Sequence, residues 1–329
     1  MKAVVLAGGY ATRLWPITRD RPKPLLPVGD TTPLGRILSG LETEHRVDRV
    51  YVSTNARFGD RVRSFVADGP YEKATVSVEE STAEAEKLGV VGGLSRLVDR
   101  EGIDDDLLVV GGDNLYSFAV SSFVDFVAER DDPCLAAYDL GDRSRATEYG
   151  VVSLDGDRVT SFHEKPDRPA SSLVSVACYG FPAASLSKLD DYLAAGNDPD
   201  EPGRFLQWLQ ARDAVRAFTF DGEWFDIGTP RGYLDAVAWH LDGDTMIAEG
   251  ATVENSSLGD AVHVMDGAEI VDSDLHRTVV FPEVTIDDCS FSDSIVDRHA
   301  HLSALARREA VVGSHSRIVA GTASSESTD

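Results

Sequence analysis

The chain has 329 residues, 42% of them hydrophobic, enough to bury a sizeable core in one large domain with a smaller companion. Its 56 acidic residues against 31 basic ones leave a formal charge of −25, a field that repels nucleic acid, and no stretch approaches the roughly 18 apolar residues of a membrane span. Lysine occurs only at positions 2, 23, 73, 87, 165 and 188, so a lysine inside a motif carries weight.

Met1 to Leu6 is an apolar run ending in glycines, and similar runs at Val47 to Thr54, Ala74 to Val78 and Leu107 to Val110 read as buried strands. Helix-like stretches lie between them at Leu34 to Glu44, Phe58 to Ala67 and Val90 to Arg100. This β-α alternation predicts an α/β fold with a doubly wound, mostly parallel sheet, whose function belongs at the strand C-terminal ends. After Phe118 come a helix near Val120 to Arg130, strands near Cys134 to Asp139, Gly150 to Leu154 and Val174 to Phe181, and helices around Leu186 to Ala194 and Phe205 to Ala211.

From about Met246 aliphatic residues return at intervals of about six: Ile247, Val253, Leu258, Val264, Ile270, then Val280 and Ile286. This spacing predicts a short C-terminal left-handed β-helix of hexapeptide repeats. The expected domains are 1–240 and 245–313, followed by a disordered acidic tail at 314–329.

The segment Leu6-Ala7-Gly8-Gly9-Tyr10-Ala11-Thr12-Arg13-Leu14 follows a strand directly, and its glycines let backbone N–H groups approach a polyphosphate. Its spacing fits neither a Walker A loop nor a dinucleotide fingerprint. The Arg13 guanidinium suits a bidentate grip on phosphate oxygens. In Arg21-Pro22-Lys23-Pro24-Leu25-Leu26-Pro27-Val28, prolines on both sides of Lys23 restrict the backbone and fix where the ammonium points.

Leu6 to Val28 resembles the signature of the sugar-1-phosphate nucleotidyltransferases, a family with a Rossmann-like catalytic domain that includes glucose-1-phosphate thymidylyltransferases and mannose-1-phosphate guanylyltransferases. Ala11 stands where the family usually has glycine. The resemblance covers about residues 1 to 240 and implies an Mg²⁺-dependent enzyme taking a nucleoside triphosphate and a sugar 1-phosphate. It assigns catalysis to Arg13, Lys23, Asp113 and Asp226, with Asp113 of Gly111-Gly112-Asp113-Asn114 and Asp226 of Trp224-Phe225-Asp226 as metal ligands. It places Leu6, Ala7, Gly8, Gly9, Thr12, Arg13, Glu80, Gly89 and Asp113 at the nucleotide. Asn114, Gly150, Glu164, Lys165, Val174 and Trp224 fall at the sugar phosphate.

The base-contact stretch, Glu79 to Gly89, departs from the thymidylyltransferase pattern through two glutamates and an acidic loop, Ser81 to Glu86. A carboxylate can accept two N–H donors, which guanine offers and uracil or thymine does not. Overall resemblance favours glucose 1-phosphate with dTTP or UTP; mannose 1-phosphate with GTP is the alternative. A non-catalytic regulatory subunit shares this architecture, although such proteins usually lose the charged motif residues kept here. An acyltransferase using His263, His276, His299 or His301 fits poorly with a repeat region of about 60 residues. Packing into a homo-oligomer, or regulation, is the expected role of that domain.

The cysteines, Cys134, Cys178 and Cys289, lack ligand spacing and suit a reducing compartment. The Ala3 to Ala7 run is too short for a signal-peptide core, so a cytoplasmic protein is expected. Carboxylate excess with scarce lysine resembles halophilic proteins, while a plain solvated acidic surface is the reading adopted.

Overall fold

The protein is described from a computed structural model that places residues 1–9, 11–80 and 88–320. Met1–Gly9, Pro22–Leu25 and Pro33–Trp224 form one compact unit; the described residues of Tyr10–Arg21, Leu26–Thr32 and Phe225–Asp329 form the other.

In the first unit, β1 (Lys2–Leu6), β2 (Arg49–Asn55), β3 (Ala74–Glu79) and β4 (Leu107–Gly111) run parallel in the order β3-β2-β1-β4. Parallel neighbours need crossover connections, which α1 (Pro33–Thr43), α2 (Gly59–Asp68) and α3 (Val90–Glu101) supply. Strands covered on both faces are continuously apolar, as Ala3–Val5 and Leu107–Val110 are, all of them buried.

After the short β5 (Asn114–Tyr116) and α4 (Val120–Ala128), the sheet becomes mixed. β6 (Cys134–Asp139), β7 (Gly150–Asp155), β8 (Arg158–Glu164), β9 (Leu173–Phe181) and β10 (Arg216–Thr219) extend it in the order β4-β9-β6-β10-β8-β7. β9 is antiparallel to both β4 and β6, and β7 and β8 form a hairpin. One face is covered by α1, α2 and α4 through Leu34, Leu38, Val62 and Phe123. The other packs on α3, α5 (Lys188–Ala194) and α6 (Pro202–Gln210) through Leu94, Leu97, Leu189 and Leu206.

The second unit contains α7 (Pro230–His240), started by Thr229, whose Oγ1 accepts from the Gly232 N–H at 3.1 Å, and by Pro230 in the first turn. From Met246 onward, short strands stack in two parallel sheets. Glu269 pairs with Thr285, Thr285 with His301 and His301 with Arg317, each partner 16 residues on. The other sheet keeps this step through Asp274, Ser290 and Ala306.

The coil turns at three columns of left-handed residues: Asn255, Asp272, Asp288 and Ala304; Ala261, Arg277, Asp293 and Glu309; Gly267, Glu283, His299 and His315. A non-glycine residue there costs roughly 1–2 kcal/mol, which the buried aliphatic stack offsets. Val264, Ile270, Leu275, Val280, Ile286, Phe291, Val296 and Leu302 fill that stack at intervals of five or six residues. Arg317–Val319 is strand, so residues 314–320 extend the coil where an unstructured tail was expected; its backbone groups pair with His301–Ser303. Residues 321–329 lie outside the described residues.

Candidate active site

The chain leaves β1 for β2 and β3 on one side and returns to β4 on the other, so the ends of β1 and β4 face the point where strand order reverses. In open α/β sheets that crevice is the usual ligand site. From Leu6 the chain enters Ala7, Gly8 and Gly9, and the carbonyls of Ala7 and Gly8 are tied to β2. Thr54 Oγ1 donates to the Ala7 oxygen at 3.2 Å, and Asn55 Nδ2 to the Gly8 oxygen at 2.6 Å. Because trans peptides are planar, the Gly8 and Gly9 N–H groups point away from those donors. A Cβ added at Gly9 would meet no described atom within 4 Å, which leaves room for an anion over these amides.

Gly112 brings the end of β4 onto the end of β1. Its N–H donates to the Leu6 oxygen at 2.9 Å, and a Cβ there would stand 2.8 Å from that oxygen, so only glycine permits the approach. Asp113 follows, with its side chain about one-third exposed (32%). Its Oδ2 accepts from Lys23 Nζ at 3.3 Å, and its Oδ1 from Asn114 Nδ2 at 3.1 Å. Asn114 Oδ1 accepts from Trp224 Nε1 at 2.8 Å. Trp224 is held in turn by the rings of Tyr149 (5.1 Å) and Tyr138 (6.0 Å). Lys23 opens the 3₁₀ turn Lys23–Leu25 and is mostly buried. Four residues from three separate motifs thus form one polar chain.

Glu164 sits at the end of β8 in a slot made by glycines: a Cβ at Gly150 would stand 2.9 Å from its Oε2, and one at Gly203 would overlap that oxygen. Burial pushes the Glu164 carboxyl up, opposed by Lys165. Lys165 adopts φ 44°, and its Nζ lies 2.9 Å from each Glu201 oxygen. Glu201 as its partner was not read from the sequence. Val174 was assigned to the sugar pocket, but it is fully buried in the core and paired with Tyr138 and Val151, so its side chain serves packing.

A cavity of about 430 Å³ opens between the ends of β2 and β3 and α3, lined by Ser53, Ser77, Glu79, Glu80, Arg96 and Arg100 among others. Burial pushes the Glu79 carboxyl up, while Arg96 and Arg100 pull it down. The sequence reading missed these arginines; their i,i+4 spacing on one face of α3 was the available signal. Gly89, assigned to the nucleotide, precedes α3 and takes φ 80°, where a Cβ would collide with the Pro199 carbonyl, so only glycine fits there. Tyr10 and the acidic loop Ser81 to Glu86 lie outside the described residues.

In the second unit Ala11 takes φ 52°, the conformation that favours glycine, and Thr18 Oγ1 donates to its carbonyl at 2.7 Å. Leu14, Ile17 and Thr18 are buried, which leaves Thr12 and Arg13 exposed on the 3₁₀ turn Thr12–Leu14. Asp226 and Arg13 meet over Gly228: from the position of an added Cβ, Asp226 Oδ1 and Oδ2 lie at 3.0 and 3.2 Å and Arg13 Nη2 at 3.3 Å. Among the described residues, no three His, Cys, Asp or Glu side chains converge as metal ligands.

A glycine loop with open amides thus lies at the reversal point, beside the Lys23–Asp113–Asn114–Trp224 chain. Residues 2–243 match the family model described as Nucleotidyl transferase, and the chain belongs to that family. It is 34% identical over 236 residues to a provisionally named mannose-1-phosphate guanyltransferase of Sulfolobus acidocaldarius, covering 71% of this chain and 61% of that one. It is 29% identical over 342 residues to the glucose-1-phosphate thymidylyltransferase of Streptomyces griseus, covering 97% and 93%. The chain spans about three fifths of the length of the first curated relatives it matches. A solved structure from Bacillus anthracis, provisionally named a glucose-1-phosphate thymidylyltransferase and holding sucrose, shares the fold. Its TM-score is 0.63 at 23% identity, over 73% of this chain and 95% of that one. No described helix is long and apolar enough to cross a membrane.

Proposed function

We propose that the protein is a sugar-1-phosphate nucleotidyltransferase, joining a nucleoside triphosphate to a sugar 1-phosphate with release of pyrophosphate. The observation that carries this reading is the Lys23–Asp113–Asn114–Trp224 chain beside the open Gly8–Gly9 amides. A sugar-phosphate oxygen attacks the α-phosphorus as the bond to the β-phosphate oxygen breaks. The nucleophile is already an anion, so alignment and charge neutralisation are the tasks left to the protein.

Gly8 and Gly9 amides hold the polyphosphate, Arg13 takes charge developing on pyrophosphate, and Lys23 neutralises the phosphates that meet. Lys165, on leaving Glu201, binds the sugar phosphate, and Glu164 accepts from sugar hydroxyls. Asp113 and Asp226 are the carboxylates for Mg²⁺, whose preference for oxygen donors they match. The ion would supply further charge neutralisation.

Glucose 1-phosphate with dTTP or UTP remains the first substrate reading, supported by the relative that matches nearly the whole chain. Mannose 1-phosphate with GTP is favoured by the carboxylates of Glu79 and Glu80 in the 430 Å³ cavity, which suit the N–H edge of guanine. The three columns of left-handed turns support a β-helix in the C-terminal coil, and their 16-residue step is shorter than three hexapeptides. Its proposed roles are homo-oligomer packing or regulation, in a cytoplasmic enzyme. The test is pyrophosphate release from five nucleoside triphosphates against glucose, mannose, galactose and N-acetylglucosamine 1-phosphates, with and without a chelator. Release with one pair, abolished by chelation, is expected; silence across the matrix sinks the reading and favours a regulatory subunit.

A further inference from the structure

Residues 11–21, which carry Arg13, group with the C-terminal coil rather than with the sheet they follow in sequence. The coil meets this loop at equivalent places in three successive turns. Phe281, Asp297 and Gly313 are each 16 residues apart. The Arg21 guanidinium lies 4.3 Å from the centre of the Phe281 ring, and its Nη2 donates to Asp297 Oδ1 at 2.9 Å. Gly313 receives Pro16: an added Cβ there would stand 3.0 Å from the proline Cγ. Successive turns are tied together, since the Phe281 N–H donates to the Val296 oxygen at 2.9 Å and the Asp297 N–H to the Val312 oxygen at 2.9 Å.

The Arg21–Asp297 pair is almost wholly buried, with side chains 12% and 4% exposed. Arg21 Nη1 is buried with no hydrogen-bond partner among the described residues. An ion pair with one nitrogen unsatisfied is a poor device for stability, because desolvation costs as much as the attraction returns. What such a pair supplies is a single geometry. Pro16 is fixed at one point and Arg21 at another, while the Thr18 hydroxyl closes the loop on Ala11, so the Thr12–Leu14 turn between these anchors has little freedom.

We propose that the coil is a buttress for the phosphate-handling loop, with Arg21 and Asp297 as positioning residues that hold Arg13 in place for the reaction. This rests on the nucleotidyltransferase reading for its catalytic consequence, though not for its structural one. It gives the C-terminal domain a catalytic task within one chain, without an effector.

The test uses the full chain with Asp297→Asn, which keeps the shape, Asp297→Ala, and Arg21→Lys, which keeps charge but loses the planar fork. In each, kcat should fall at least tenfold while the Michaelis constant for the sugar phosphate stays within twofold. Arg21→Lys combined with Asp297→Ala should be no slower than the worse single variant. Hydrogen exchange of amides at 12–21 should speed at least tenfold with β1–β4 amides unchanged. Unchanged kcat in folded protein with a lowered melting temperature makes the pair merely structural and overturns the proposal. If wild-type protein shows no turnover with any substrate pair, the enzymatic reading has failed separately, and exchange in the loop still decides the buttress: unaltered protection refutes it.

Discussion

Trp224→Phe is the most informative single change, because it removes one hydrogen-bond donor from a buried chain while keeping an aromatic ring between Tyr138 and Tyr149. The indole N–H donates at 2.8 Å to Asn114 Oδ1, and both residues are at most 8% exposed. Phenylalanine leaves that amide oxygen buried and unpaired, a penalty of about 1–3 kcal/mol, to which the smaller ring adds a packing loss. Among the described residues the Asn114 side chain then keeps its 3.1 Å bond to Asp113 alone, so the carboxylate beside Lys23 loses support. We expect urea melts to show a loss of about 2–3 kcal/mol and pyrophosphate release to slow at least tenfold. The double variant Trp224→Phe/Asn114→Leu removes both polar partners and should be less destabilised than the sum of the singles, by about 1 kcal/mol or more. Its turnover should be no better than that of either. Strictly additive stabilities together with normal turnover would refute the idea that this chain presents Asp113.

Asp113→Asn should cost orders of magnitude in turnover with the melting temperature little changed, and near wild-type release of pyrophosphate would remove Asp113 from the metal assignment. Lys165→Ala should raise the Michaelis constant for the sugar phosphate far more than that for the nucleotide; equal effects would move Lys165 out of the sugar site. His263 is buried with Nδ1 unpaired among the described residues, and burial pushes its pKa down to about 4 from 6.5. The unfolded chain therefore binds this proton first. The associated stability is fully present above pH 6.5 and is lost as pH falls towards 4, on the order of 3 kcal/mol in all. His263→Leu should remove that part of the acid dependence in denaturation curves run from pH 7 to 4, and an unaltered curve would discard the assignment. With a formal charge of −25, thermal stability should rise as KCl is added, and a fall on adding salt would count against a charge-strained surface.

The parallel half of the sheet was legible because strands covered on both faces are written as unbroken aliphatic runs, and the loop after β1 because its paired glycines stand out at the end of such a run. β8 was not legible: exposed Arg158, Thr160 and His163 are interspersed with buried Val159 and Phe162, and polar outward positions read as loop. β10 is only four residues long. At the site, the motif residues stood out one by one, but their joining did not, since Asn114 and Trp224 are 110 residues apart. Gly89 shows a further limit: its φ of 80° and its approach to the Pro199 backbone, which only glycine allows, leave no mark in a single sequence. The C-terminal spacing carried its own explanation, because intervals of five, five and six from Ile270 through Leu275 and Val280 to Ile286 make one 16-residue turn.

The length of the Leu6 to Val28 motif follows from its having two structural duties. Leu6–Gly9 and Pro22–Leu25 belong with the sheet, where Asn55 ties the Gly8 carbonyl and Gly112 meets Leu6. The described residues of Tyr10–Arg21 and Leu26–Thr32 belong with the coil, where Thr18 ties Ala11, Asp297 ties Arg21, and Tyr233 donates to the Pro27 carbonyl at 2.6 Å. The proposed phosphate role alone would need the glycines and an arginine. A loop that must also seat Pro16, Arg21 and Pro27 has side chains specified for packing between those proposed for phosphate. Substitutions at Arg21 or Pro27, neither of which the sequence assigned to chemistry, should therefore affect turnover, whereas Asp20, exposed and outside these contacts, should tolerate replacement by Ser with less than twofold change in kcat.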